Sequence, residues 1–277
     1  MSEQQSSEFP DSYSPAQTET PTVAGTVAPV PLPPQPEIIF PSPLETFASL
    51  MGIIVIALFL LTFVVQPFRI PSESMEKTLL VGDFLLVNKA IYGPNGHWGE
   101  VLPYQQVHRG DIVVFHFPLD PSDHVVKRVA GLPGDRIHLD HGQLFVNGAP
   151  VSEPYAVFED ISHDSFRDQF PAQIYTDPGV DTHWWMQMRK DVRNGELIVP
   201  QDSYFVLGDN RDHSRDSRYW GFVPMQNIVG RPFVIYFSLR RPSATEAMQD
   251  DRLGHGKVPA KDVVSFARWN RMFRVVR

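Results

Sequence analysis

The chain has 277 residues, 42% of them apolar and 20% charged, with a net charge of −8. That is ample for a packed core of one or two domains, and a net acidic chain has the wrong sign for a nucleic-acid partner. There is no cysteine, which excludes structural disulfides, thiolate catalysis and cysteine-bound zinc and leaves the compartment open.

Residues 1–43 hold ten of the 26 prolines and no lysine or arginine. A stretch such as "APVPLPPQP" cannot bury enough apolar area to offset its ordering entropy, so a disordered tail is expected. Next comes "TFASLMGIIVIALFLLTFVVQPF" at 46–68, without one charge. About twenty such residues span the hydrocarbon core as a helix, and a transmembrane anchor is expected over 44–67. A secretory signal peptide would stand nearer the N-terminus behind basic residues, and this segment has neither mark. Six acidic residues and no basic one precede it, while Arg69 and Lys77 follow. By the positive-inside count alone, the C-terminal part would face the cytoplasm.

From 68 to 240 the pattern is short β-branched or aromatic runs punctuated by Gly, Pro, Asn and Asp, such as "GDIVVFHF", "GQLFVNG" and "SYFVLGDN". Closely spaced strands without long helical periods predict a mainly β domain, an antiparallel sheet or barrel. "VNGAP" carries the Asn-Gly pair of a tight hairpin. Residues 151–200 break the rhythm and read as an irregular insertion or small subdomain. Its Trp184 and Trp185 suit either a membrane interface or the insertion's own core. The last segment, 241–277, ends in a basic run that either lies on anionic lipid or packs as a final strand.

Three short boxes carry the chemistry. The first, "FRIPSESMEKTLLVGDFLLVNKAIYG", places Ser74 just beyond the anchor. A serine hydroxyl is a poor nucleophile until a base takes its proton. Lys77 stands three residues on, at the S-x-x-K spacing in which a helix brings the lysine to the serine. The second box, "DHVVKRVAGLPGD", offers another lysine. Strand alternation puts Val125, Lys127 and Val129 on one face and Val126 and Arg128 on the other. A lysine sharing a face with valines loses hydration, which lowers its pKa. A fall from about 10.4 to near 8 costs roughly 3 kcal/mol, bearable for a packed domain, and frees a neutral amine to act as base. The third box, "GDNRDHSRDSRYWGFVP", fails as an EF-hand because Ser217 stands where glycine is required. Its mixture of Asp, Ser and Arg resembles a network that holds other side chains in place.

Together "PSxSMxxTLxxGD", "KRxxGLPGD" and "GDNRDxSxDSRxWG", in this order behind an anchor, resemble the type I signal peptidases over residues 44–240. The resemblance implies Ser74 as nucleophile and Lys127 as general base. It implies an oxyanion hole made by the Ser72 hydroxyl and the Ser74 N–H, worth about 3–4 kcal/mol per donor. Ser214 matches a serine that bonds the lysine, and Asp216 and Arg218 match an ion pair beside the site. Ile70, Pro71, Met75, Leu79, Leu85, Val125 and Val126 match positions lining shallow pockets. The implied substrates are secretory preproteins with small residues at −1 and −3 from the cut, bound as an added β-strand. No metal or organic cofactor is implied. The implied partners are those preproteins, membrane lipid and, by proximity, the export machinery. The implied location is the outer face of the cytoplasmic membrane with the N-terminus inside, against the charge count.

Glu73, Lys77 and His213 depart from the family's usual residues, and none replaces a proposed catalytic group. The rivals lack their own marks. There is no K-T-G for an S-x-x-K enzyme, no G-x-S-x-G elbow for a Ser-His-Asp hydrolase and no H-E-x-x-H for zinc. The self-cleaving repressors, another Ser–Lys class, have no use for the anchor. A β module that binds peptides without cutting them would have lost the serine or the lysine.

Overall fold

The computed structural model describes residues 42–92, 105–159, 164–172, 177–240 and 266–276. The proline-rich tail up to residue 41 and the first part of the C-terminal segment, 241–265, lie outside the described residues. Helix α1, Pro43–Phe59, continues as a wider turn over Leu60–Val64. This span of 22 residues has a mean hydropathy of 2.7 and no buried residue. At 1.5 Å per residue it measures about 33 Å, enough to cross a membrane. The helix stops short of the expected 67. Val65–Arg69 is instead strand β1, because Pro67 has no N–H for a helix and favours extended backbone before it.

Strands β2 (Asp83–Asn88), β3 (Ile112–Phe117) and β4 (Asp120–Gly131) follow. A second sheet then begins with β5 (Arg136–Asp140), β6 (Gln143–Val146) and β7 (Ala149–Pro150). The β6–β7 hairpin turns at Asn147 and Gly148, with φ of 54° and 82°. That is the pair of left-handed residues that an Asn-Gly turn supplies. The supposedly irregular stretch contains helices α2 (Ser165–Asp168) and α3 (Thr182–Asp191), whose first N–H groups are capped by Asp164 and Asp181. It then returns to the second sheet as β8 (Val192–Arg193) and β9 (Glu196–Ile198). Trp184 and Met188, one helical turn apart, are buried with Phe166 and Phe170 in the larger core. Trp184 is thus a core residue and not an interface anchor; its Nε1–H donates to the Arg218 carbonyl at 3.0 Å.

Four strands complete the first sheet: β10 (Ser203–Leu207), β11 (Val223–Pro224), β12 (Ile228–Ser238) and β13 (Arg274–Val275). Its order is β1-β2-β12-β3-β4-β10-β11, with β13 added on β12, and every pairing is antiparallel. Between β10 and β11 lies the one-turn helix α4, Ser217–Trp220. Two features of this sheet position the site. Strand β1 pairs only with β2 among the described residues, and β4 meets β10 only from Arg128 onward. One edge of β1 and one edge of β4 before Arg128 are therefore free of strand partners. The rings of Phe68 on β1 and His124 on β4 meet at 5.2 Å, which brings the two edges close together.

Candidate active site

Ser74 sits in the turn that joins β1 to β2. Glu76 N–H donates to the Glu73 carbonyl at 2.9 Å and Leu79 N–H to the Met75 carbonyl at 2.8 Å. The turn does not continue as a helix, because Lys77 has φ +71° and is exposed. Its side chain lines another cavity, with Thr78, Tyr155 and Arg274. The local S-x-x-K spacing is therefore not realised in three dimensions. Lys127, 53 residues away on β4, reaches Ser74 instead, and its Nζ is hydrogen bonded to Ser74 Oγ. Both groups are buried, Lys127 at 3% exposure and Ser74 at 7%.

The third box holds this pair in register. The chain leaves β10 at Leu207 and runs past the nucleophile, where Asn210 N–H donates to the Ser74 carbonyl at 3.1 Å. Gly208 fits because a Cβ there would lie 2.2 Å from Ser214 Oγ and 2.5 Å from the Ser74 carbonyl oxygen. Asp209 clamps the two sides together. It accepts from Thr78 Oγ1 at 2.6 Å and takes a two-pronged bond from Arg128 at 2.8 and 2.7 Å. Arg128 also donates to the Gly110 carbonyl at 2.7 Å and stacks 3.9 Å over the Tyr155 ring. Arg211 bonds Glu153 through both its Nη groups at 2.8 and 2.7 Å.

Burial pushes the Lys127 ammonium down to about 8. The charges of Asp216 and Asp209 oppose this, and that of Arg218 reinforces it. The first cause is the loss of hydration foreseen from the strand pattern. Val125 and Val129 join the larger core and Val126 the smaller one, as alternation requires. Burial alone would raise the Asp216 carboxyl, but the Arg218 guanidinium holds it below the usual carboxylate range. Arg218 bonds both carboxylate oxygens at 2.8 Å.

The other residues singled out in the sequence are distributed less simply. Ser72 is exposed, with its Oγ 3.4 Å from Ser74 Oγ. Ser214 is buried, but the bond expected with Lys127 is not formed. Its hydroxyl has no hydrogen-bond partner, because Lys127 Nζ is turned to Ser74. Ile70, Met75, Leu79 and Leu85 do not line an open pocket. Each is at most 3% exposed, packed with Ile112, Ile235, Val276 and Val126 in the smaller core. Such apolar side chains satisfy one another unless something larger holds them apart. Pro71 stays outside this cluster, exposed, and Val125 belongs to the other core. Arg128, Asp209, Thr78 and Asn210 are letters of the three boxes, but the sequence alone assigns them no role. The alternation that buries Lys127 also places Arg128, but nothing local names a partner 81 residues away. Among the described residues, no group of His, Asp and Glu could hold a metal ion.

A buried serine bonded to a distant, desolvated lysine, a few residues after an apolar helix, narrows the choice of family sharply. The model of the signal peptidase family, peptidase S26, matches residues 44–237. The chain belongs to that family. Signal peptidase I of Pseudomonas fluorescens is 37% identical over 226 residues, covering 74% of this chain and 76% of that one. Signal peptidase I of Aquifex aeolicus is 33% identical over 234 residues, covering 73% and 87%. A solved signal peptidase I from Enterococcus faecalis V583 aligns at 30% identity with a TM-score of 0.34, covering 46% of this chain and 97% of that one. The chain is thus a membrane-anchored serine endopeptidase of the signal peptidase family.

Proposed function

We propose that the enzyme removes signal peptides with Ser74 as nucleophile and Lys127 as general base. The observation that carries this is the buried Ser74–Lys127 hydrogen bond. With Lys127 near 8, a useful fraction is neutral around pH 7–8 and can take the Ser74 proton as Oγ attacks the scissile carbonyl. The Ser74 N–H and Ser72 hydroxyl receive the developing oxyanion. The lysine returns its proton to the departing amine, and water then releases the acyl group through the same base. Asp216 and Arg218 act as positioning residues, and Ser214 steadies the lysine once Nζ turns from Ser74.

The substrate enters as an extended strand in the groove between the free edges of β1 and β4, which offer backbone partners on both sides. Its alternate side chains meet the smaller core through Ile70 and Val126. That surface is already packed, so only small residues fit at −1 and −3. Pro71, Met75, Leu79, Leu85 and Val125 shape it from beneath or beside.

The substrates are signal-peptide-bearing preproteins. The catalytic part stands on the outer face of the cytoplasmic membrane with the N-terminus inside, because a translocated domain of this size outweighs two flanking charges. Ser74 lies ten residues beyond Val64, so the cut is made at the membrane surface, beside lipid and the export machinery. Exposed Trp269 and Phe273 near β13 supply further lipid contact.

The test is cleavage of a preprotein with alanine at −1 and −3 by detergent-solubilised enzyme. Lys127→Ala is expected to lose at least about 10³-fold, and Lys77→Ala to stay near wild type. Loss with Lys77→Ala and survival with Lys127→Ala would make the local spacing the true dyad.

A further inference from the structure

A cavity of about 600 Å³ opens beside the dyad, lined by Ser72, Glu73, Asp177, His213, Ser214 and Arg215 among others. None of the groove residues that flank the entering strand, Phe68 and His124 included, lines it. A peptide that comes from the membrane along β1 and β4 and is cut at Ser74 must leave on the other side of that serine. Ser72, whose Oγ is 3.4 Å from that of Ser74, and Glu73 put the cavity within reach of that departing segment. Ser214, 4% exposed, forms part of the cavity's wall.

The charges of the cavity are not balanced. Asp212 is held by Arg167 at 3.2 Å and accepts from the Glu159 N–H at 2.6 Å. His213 faces Glu159 at 3.7 Å. Arg215 donates to the Gly179 carbonyl at 2.7 Å, and Asp177 accepts from the Gly179 N–H at 2.5 Å. Among the described residues neither Glu73 nor Asp177 has a cationic partner. Two carboxylates against one guanidinium leave the cavity net negative. Glu73 and His213 are also two of the three residues at which this chain departs from the family pattern. Both departures line the same cavity.

We propose that this cavity is the leaving-side subsite, which receives the first residues of the mature protein and selects against acidic side chains there. The proposal rests on the reading above, that Ser74 cuts preproteins. An acidic side chain entering the cavity meets the exposed Glu73 and the half-buried Asp177. A basic one gains what the acidic one loses, and the amino group freed by the cut is itself drawn toward these carboxylates. Coulomb interaction at such range is worth about 3- to 10-fold in rate and weakens with salt.

The test uses full-length enzyme in detergent and three peptides with alanine at −1 and −3, differing only by Lys, Gln or Glu in the two positions after the cut. The expected order of kcat/KM is Lys, Gln, Glu, with a Lys-to-Glu ratio of about 3–10 at low salt. That ratio should shrink in 0.5 M salt and fall toward 1 in Glu73→Gln and in Glu73→Gln with Asp177→Asn. Lys77→Gln, whose side chain lies on the other cavity, should leave the ratio in place. Equal rates for all three peptides would overturn the proposal. So would a ratio unchanged in both carboxylate variants, or one that moves as far in Lys77→Gln. Failure of the underlying reading has a different mark: Lys127→Ala would then cut all three peptides as the wild type does.

Discussion

Along β5 and β6 the buried positions are Ile137, Leu139, Leu144 and Val146, whereas around β4 and the chain leaving β10 they include Lys127, Arg128, Asp209, Arg211, Asp216 and Arg218. The second sheet follows the ordinary economy of a half-buried strand, apolar inward and polar outward. The first sheet carries charge inward at its catalytic end, where each ion must find a partner or lose its charge. Arg128 with Asp209, Arg211 with Glu153 and Arg218 with Asp216 find partners. Lys127 does not, and shifts its pKa instead. The contrast separates a sheet built for stability from one that gives up stability for a reactive amine.

The largest break in this comparison should come from Asp216→Ala. It strands a fully buried guanidinium and is expected to cost about 3–5 kcal/mol, read by denaturant unfolding in detergent. A smaller effect of opposite sign is expected for Lys127→Met. Lys127 titrates near 8 in the folded chain against 10.5 when free. Below pH 8 the folded state therefore pays for keeping that amine charged and buried, by about 3 kcal/mol. Stability of the wild type should rise as pH climbs from 8 toward 10.5. The advantage of Lys127→Met should be full at pH 7 and fade over that interval. An advantage independent of pH would mean that Lys127 is not desolvated. The smallest effect belongs to the second sheet. Arg136 pairs with Glu196 at 3.1 Å but is 55% exposed in its side chain, so Arg136→Ala should cost less than about 1 kcal/mol and spare cleavage.

At the catalytic end the desolvation of Lys127 was legible locally, whereas its pairing with Ser74, 53 residues away, was implied only by the resemblance of the three boxes. Lys127 lies between valines two residues either side on an alternating strand. The Asn147-Gly148 hairpin was likewise legible locally. What escaped depends on contacts between distant segments. Asp83 takes bonds from Ser238 at 2.6 Å and Arg271 at 2.5 Å, 155 and 188 residues away, and no pattern in "VGDF" announces them. The region 151–200 looked irregular because its two helices are short, and their caps are single aspartates in polar surroundings. The buried fate of Met75, Leu79 and Leu85 was hidden by the late return of β12 and β13. The resemblance pointed to them as pocket walls, and the packing makes them a floor.

The most direct test of the Ser74–Lys127 account is the pH dependence of kcat/KM for cleavage of a preprotein with alanine at −1 and −3, which reports the essential base of the free enzyme. A single base titrating where burial sets Lys127 predicts activity that rises with pH through an apparent pKa of about 8. A profile that peaks near pH 5, or one flat from pH 6 to 9, would contradict it.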